Sequence, residues 1–374
     1  MSLVCPHQPH CPGCPRLATP GLPPEPLGRL TALAERAGIP APVLHESPPT
    51  AFRRRARLAI RGRSDAPKLG IFEAGTHRAV HIPRCLVHHP VLSRVVAQVR
   101  DALSRHRVPT YSDSAHAGLA RYLQVVVERE TERAQVTLVT NDSSPKSVEP
   151  LLADLAQLVG DTLQGLWWNG NPERTNTILG PHFEHVAGER YVRDVSGDAR
   201  LFYPPGAFGQ SNLDLAMQLA AEVRALAAPG ERVAELYAGV GAIGLGLATS
   251  ASSLDLNELG AGSLEGLSAG VAALPSLHRE KVHVHPGSAG ACAPLVESAG
   301  FVIVDPPRKG LDPELLAQLC RTPPARLAYV SCDVASFERD SEQLLRALRL
   351  RSLAAYDLFP HTEHVETLAV FERN

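Results

Sequence analysis

The sequence predicts an α/β fold in two parts, a doubly wound parallel sheet over residues 206–374 and an α+β domain over residues 1–205. Three observations carry this. Beyond residue 206, short apolar strands alternate with helical stretches: RVAELYA, SSLDLNE, KVHVHPG, FVIVDPP and RLAYVSC, the pattern of parallel strands joined by crossovers. Before it, strand-like segments cluster with few helices between them. A chain of 374 residues also exceeds what one hydrophobic core needs, and the turn residues Pro204-Pro205-Gly206 supply a boundary.

In the first part, LGRLTALAERAG reads as a helix closed by Gly38, and 52–63, 68–73 and 78–82 alternate as strands. A helix follows at 90–106, then two strands in RYLQVVVERETERAQVTLVT (121–140), a helix over 147–159 and short strands through 164–203. In the second part a helix over 212–228 stops at Pro229-Gly230, and the chain closes on the strand pair AAYDLFPH and ETLAVFE. With 44% hydrophobic and 20% charged residues, wholesale disorder is excluded. No apolar run is long enough to span a bilayer, and MSLVCPHQPHCPGCP lacks a charged-then-apolar leader, so a cytoplasmic location is expected.

The net charge of −2 conceals an asymmetry: residues 51–100 carry +9 and the remainder −11. Arg53, Arg55, Arg57, Arg61 and Arg63 fall on one face of a strand, with Ala56, Leu58 and Ile60 on the other. Such a guanidinium comb suits phosphates; the competing reading is an edge strand that uses charge against aggregation. Seven cysteines in a chain without a leader read as reduced thiols. Cys5, Cys11 and Cys14 form C-x5-C-x2-C on Pro-rich irregular backbone, and Cys85 in HIPRCLVHH is the candidate fourth ligand. Four thiolates suit a [4Fe–4S] cluster or zinc, and His7, His10, His81, His88 and His89 keep a mixed zinc site open. The C-x3-C-x2-C spacing of radical enzymes is not met.

Strand RVAELYA runs into Gly239-Val240-Gly241-Ala242-Ile243-Gly244, and Glu258 follows at the end of the next strand, placed for ribose hydroxyls. This fingerprint fits a nicotinamide oxidoreductase as well as a methyltransferase. Later segments separate the two. Asp305-Pro306-Pro307-Arg308, Ser331-Cys332-Asp333 and FPHTEHVE (359–366) all fall at the carboxyl edge of the sheet, where ligands bind. Hydride transfer has no use for a thiol there, whereas adding a nucleophile to a ring does. Cys292 and Cys320 read as structural.

At these residues the chain resembles the bacterial SAM-dependent RNA (uracil-5-)-methyltransferases that carry an iron–sulfur cluster. The matching segments are the four cysteines, FRRRARLAI, FGQSN (208–212), ELYAGVGAIGL (235–245), DPPRKGL (305–311), SCDVASFERD (331–340) and LFPHTEHVETLAVF (358–371), in the family's order. The resemblance implies a Rossmann-like SAM methyltransferase domain behind an iron–sulfur and RNA-binding domain. It assigns Cys5, Cys11, Cys14 and Cys85 to a [4Fe–4S] cluster. Gln210, Tyr237, Glu258 and Asp305, with the turn at Gly239, would contact S-adenosyl-L-methionine. Cys332 becomes the nucleophile that adds to uracil C6, and Glu366 the proton-abstracting base, with Glu363 a rival. Because the cysteines start at residue 5, the short branch without an N-terminal barrel is expected, and with it a monomer acting on 23S rRNA, with neither DNA nor membrane as partner. The alternatives are a tRNA uridine-5 methyltransferase and, from another class, a non-catalytic Fe–S RNA-binding protein. Ser288 stands where the family usually has an acid near the adenine, and Asp333 where Asn is common.

Overall fold

The computed structural model describes residues 3–19 and 21–374. The strands are β1 (Val43–His45), β2 (Arg55–Arg63), β3 (Ala66–Phe72), β4 (Ala79–His81), β5 (Ala120–Val127), β6 (Ala134–Thr140), β7 (Leu163–Gly170), β8 (His182–Gly188), β9 (Val192–Ser196), β10 (Ala199–Tyr203), β11 (Arg232–Leu236), β12 (Ser253–Glu258), β13 (Val282–Pro286), β14 (Phe301–Val304), β15 (Arg326–Ser331), β16 (Leu348–Tyr356) and β17 (Glu366–Arg373). The helices are α1 (Pro24–Ala37), α2 (Pro90–Arg105), α3 (Glu149–Ala156), α4 (Leu213–Arg224), α5 (Ala261–Ala272), α6 (Ser276–Arg279), α7 (Pro313–Arg321) and α8 (Val334–Leu344).

The C-terminal half builds an eight-stranded sheet in the order β1-β16-β17-β15-β14-β11-β12-β13. Strands β11 to β15 run parallel, as their uninterrupted apolar sequences require of strands covered on both faces. Strand β17 alone reverses, antiparallel to both β15 and β16. Its first residue therefore lies at the same edge as the last residues of β14 and β15, and this topology assembles the site.

The expected division at 205/206 does not describe the N-terminal segment. Strand β1 adds in parallel to β16 at the end of the C-terminal sheet, and α1 buries Leu30, Leu33 and Ala34 in that sheet's core with Leu350 and Leu353. The His45 ring stacks on Tyr356, centroids 4.3 Å apart. Composition changes at residues 204–206, but the apolar stripe of α1 finds its complement far along the chain.

The other sheet has seven strands in the order β4-β3-β2-β5-β6-β7-β8, with β6 and β7 its one parallel pair and the β9–β10 hairpin separate. Helices α2 and α3 cover one face, burying Val95, Val99, Leu151 and Leu155 with Ala56, Leu58 and Ile60 of β2. The alternation in β2 is thus as the sequence predicts. The phosphate comb is not. Arg55 is buried and donates to Ala207 O at 3.0 Å, and Arg53 donates to Ser211 Oγ at 3.3 Å. Arg61 is buried in a bidentate pair with Asp113 (2.6 and 2.9 Å) and lies over the rings of Phe72, Tyr111 and Tyr122. Arg57 donates to Gln124 Oε1 at 2.8 Å, and Arg63 to its neighbour Asp65 at 2.9 Å. Period two fixes which face carries the arginines; segments remote in sequence cover that face and convert most of the comb into a seam. Among the described residues no helix is long and apolar enough to cross a membrane.

This seam makes a stability prediction. Arg61→Ala strands the Asp113 carboxylate and opens the aromatic cluster, and should cost about 2–3 kcal/mol in urea denaturation. Arg63→Ala, whose pair is exposed, should change stability by less than about 0.5 kcal/mol.

Candidate active site

Ser331 at the end of β15 pairs with Thr367 in β17, so Cys332 and Glu366 flank one register pair at the carboxyl edge. Asp305 follows β14, the neighbour of β15. These three groups crowd one another electrostatically. The Cys332 thiol is half-buried, and burial, followed by the carboxyls of Glu366 and Asp305, pushes it up to about 12, against a downward pull from Arg308. Glu366 is 1% exposed, and neither of its carboxylate oxygens has a hydrogen-bond partner among the described residues. Burial, reinforced by Asp305, holds its carboxyl well above the ordinary range, and burial raises that of Asp305 as well. A buried carboxyl without a partner is costly in a finished fold, and its presence at this strand edge makes Glu366 a candidate reactive group.

The loops that carry these groups are braced. Asp333 N-caps α8, its Oδ1 accepting from Ser336 N at 2.8 Å, so the Asp for Asn replacement keeps a good cap. In the DPPRKGL loop Gly310 takes φ +84°, and Leu311 N donates to Asp340 Oδ2 at 2.8 Å. The Tyr329 hydroxyl donates to that same oxygen at 2.8 Å, while Arg339 reaches Lys309 O at 2.7 Å. Asp340 is thus a buried strut for the Asp305 loop, a role its place in a charged helical run does not announce. Arg308 Nη2 donates to His364 Nε2 at 3.2 Å, tying this loop to the one before Glu366.

The glycine turn is held by its own acids. Tyr237, Gly239 and Gly241 all have positive φ (64°, 59° and 84°). Gly239 N donates to Glu258 Oε2 at 2.8 Å, and Leu259 N and Gly260 N donate to Oε1 at 2.8 and 2.5 Å. Three amides leave roughly one of the four acceptor positions of the carboxylate for a ligand hydroxyl. A Cβ built on Gly239 meets no atom within 4 Å, so the space above the turn is open. Buried Glu235 accepts from Gly244 N at 2.9 Å, and burial pushes it up to about 8. The Tyr237 hydroxyl accepts from Asp312 N at 2.9 Å. Asn257, which the sequence did not single out, donates to His285 O and Gly287 O (both 2.9 Å) and so shapes the turn at Ser288, whose own Oγ accepts from Ala291 N at 3.2 Å. Gln210 stands apart: it is half-buried and makes no hydrogen bond among the described residues, while its neighbours Ser211 and Asn212 pin its loop to Arg53, Arg54 and Ser47.

The four cysteines expected as ligands, Cys5, Cys11, Cys14 and Cys85, line one cavity of about 190 Å3 together with His7, His88 and Arg53. Of the other histidines considered, His10 faces Glu73, His81 bonds Leu69 in the sheet and His89 caps α2. Among the described residues no three His, Cys, Asp or Glu side chains converge on a single-ion site. Cys292 and Cys320 lie outside the cavity, packed on the C-terminal core.

Comparison with known proteins bears on this geometry. A family model described as tRNA (uracil-5-)-methyltransferase matches residues 297–374, which hold Asp305, Cys332 and Glu366. A RNA methyltransferase of Lactobacillus johnsonii, itself uncharacterized, is 30% identical over 336 residues, covering 87% of this chain and 72% of its own. The crystal structure of Pyrococcus abyssi tRNA (uracil-54, C5)-methyltransferase in complex with S-adenosyl-L-homocysteine superposes with a TM-score of 0.78 at 24% identity, over 97% of this chain and 86% of that one, and so shares the fold. An uncharacterized RNA methyltransferase of Protochlamydia amoebophila is 36% identical over 379 residues, spanning 100% of this chain and 98% of the relative. With a relative of that identity matched from end to end, and the thiol and both carboxyls inside the matching segment, the chain belongs to the SAM-dependent RNA (uracil-5-)-methyltransferase family.

Proposed function

We propose that this enzyme methylates C5 of a specific uridine in 23S rRNA, with Cys332 as nucleophile and Glu366 as base. The observation that carries the chemistry is the sheet edge where the Cys332 thiol adjoins Asp305 and a Glu366 carboxyl without a hydrogen-bond partner among the described residues. Uracil C5 is too weak a nucleophile on its own. Addition of the Cys332 sulfur to C6 drives the C5–C6 electron pair toward the C4 carbonyl, leaving C5 enolate-like and able to accept a methyl group. Glu366 then takes the C5 proton, the C5–C6 double bond re-forms, and the Cys332 thiolate is expelled. S-adenosyl-L-methionine supplies the methyl group as an electrophilic sulfonium substituent. The open space above Gly239 and the remaining acceptor position of Glu258 fit its ribose, with Tyr237, Asp305 and Gln210 the further contacts.

The target base has to leave its stack to reach this edge. The exposed Arg57, Arg63, Lys68 and Arg78 take over the phosphate role that the buried part of the comb cannot fill. What supports a [4Fe–4S] cluster is that the four cysteines line one cavity while His10, His81 and His89 have other partners. The cysteine set is also what supports rRNA as substrate. A tRNA substrate is the second reading, favoured by the activity of the Pyrococcus abyssi protein that shares the fold. Mapping 5-methyluridine in rRNA and tRNA from a deletion strain decides between them: loss at a 23S position is expected, and loss confined to tRNA overturns the rRNA reading.

Three outcomes are expected of the residues. Cys332→Ala should abolish methyl transfer with SAM affinity kept within about threefold, and Glu366→Gln should accumulate a covalent RNA adduct on denaturing gels, because elimination stalls after the sulfur has added. Since the Glu366 carboxylate is the larger of the two charges opposing ionisation of Cys332, Glu366→Gln should also move the thiol's alkylation profile to lower pH, read by peptide mass mapping. Anaerobically purified protein should contain iron and acid-labile sulfide, both lost in Cys85→Ser.

A further inference from the structure

The loop before Glu366 is held from outside by one stretch of the N-terminal chain. Asp357 N donates to His45 O at 2.9 Å, and His361 Nε2 donates to Pro49 O at 2.6 Å. Arg16 N donates to His361 O at 3.0 Å. The Arg16 side chain, only 9% exposed, donates from Nη1 to Thr362 O at 3.4 Å and to Gly21 O at 3.1 Å, and its Nε lies 3.6 Å from the Glu363 carboxylate. His361 itself sits at φ 67°, a region a non-glycine residue occupies only when its surroundings impose it. One arginine therefore touches three consecutive residues, 361–363, of a loop whose backbone is already in an unfavourable conformation.

Arg16 lies two residues beyond Cys14, and Leu17 N to Cys14 O (3.3 Å) and Thr19 N to Arg16 O (2.9 Å) wind the intervening chain into tight turns. Displacement of Cys14 is therefore passed to Arg16 rather than absorbed. A second tether leaves the same cavity. Arg53 lines it and donates to Ser211 Oγ, and Arg54 N donates to Ser211 O at 2.8 Å, adjoining Gln210. The carboxylate of Glu366 has no hydrogen bond of its own to fix it, so its aim depends on the backbone that delivers it.

We propose that Arg16 is a positioning residue for the base: the cysteine-bearing segment sets, through Arg16, the conformation of residues 361–363 and with it the placement of the Glu366 carboxylate. The inference rests on Glu366 being the base. It separates two duties of the cysteine site, holding its own fold and registering a catalytic loop on the far side of the N-terminal segment.

The test uses the full chain, purified anaerobically, as Arg16→Ala, Arg16→Lys and Cys14→Ser. In Arg16→Ala, amide hydrogen exchange should quicken over residues 358–366 and stay unchanged over 235–245. Product formation should fall about 10–100-fold while SAM affinity holds and the covalent RNA adduct rises, since misplacing a reacting group by about 1 Å costs that much. Arg16→Lys should recover part of the rate, and Cys14→Ser should reproduce the exchange pattern. Unchanged exchange over 358–366 in Arg16→Ala overturns the proposal, as does a parallel fall of adduct, product and SAM affinity, the signature of general destabilisation. If the loop loosens in Arg16→Ala while Glu366→Gln traps no adduct, the tether stands and the assignment of the base falls.

Discussion

The buried Glu366 carboxyl, the half-buried Asp305 and the half-buried Cys332 thiol crowd one edge of the sheet, and that crowding sets the terms for everything around it. Neither Glu366 oxygen has a hydrogen-bond partner among the described residues, and burial, with the Glu366 and Asp305 carboxyls behind it, pushes the Cys332 thiol up to about 12. An arrangement that suppresses the nucleophile looks self-defeating until the substrate is considered. A free thiolate at an open edge invites alkylation and oxidation; a thiol that ionises only once a uracil ring displaces water and offers its carbonyl to the site does not. In the proposed reaction the carboxyls serve in sequence: they oppose ionisation of the sulfur before the ring arrives, and Glu366 collects the C5 proton after methylation.

Topology supplies the crowding. In an all-parallel sheet, the strand beyond β15 would begin at the opposite edge. Reversal of β17 between β15 and β16 brings its first residue, Glu366, to the carboxyl edge beside Cys332. The reversal also makes the preceding loop, 357–365, cross that edge, where it needs support from outside the sheet. Strand β1 and the segment around Arg16 give that support, which is why the first fifty residues behave partly as catalytic-domain chain. The glycine turn has a different solution: its bracing acids, Glu235 and Glu258, lie within the same strand–turn–strand unit, so this turn is assembled locally.

That contrast explains what could be read from the sequence. The strands β2 and β5 to β7, helix α2, the parallel order of β11 to β15 and the turn at Gly239 follow from local periodicity and turn chemistry, and the structure keeps them within a few residues of their expected bounds. Of the motif-borne residues, Cys332, Glu366 and Asp305 adjoin at the carboxyl edge, and Glu258 braces the glycine turn. Asp340, Asn257 and Arg16 were not legible, because each is an ordinary polar residue until its remote partner is known. The same holds for β1, three residues whose Val43 and Leu44 both stay exposed, which is a strand because β16 offers it an edge.

The arginines of β2 carry the same point into function. Counted along the sequence, +9 over residues 51–100 looks like a surface for RNA. Folded, Arg61 is committed to Asp113 and three rings, Arg55 to the backbone of residue 207, and Arg53 to the seam between the cysteine cavity and the Gln210 loop. A buried guanidinium has lost its hydration and keeps its fork satisfied by protein, so it has little left to offer a phosphate. The charge that remains exposed, at Arg57, Arg63, Lys68 and Arg78, sits at the solvent side of β2 to β4, with Arg63 paired to Asp65 and Arg78 to Glu73. The basic strand is therefore first a joint: Arg53 and Arg55 fix the N-terminal sheet against the segment at residues 207–211, Arg61 is spent within the N-terminal sheet, and under the proposed function only the exposed cations are left to meet RNA.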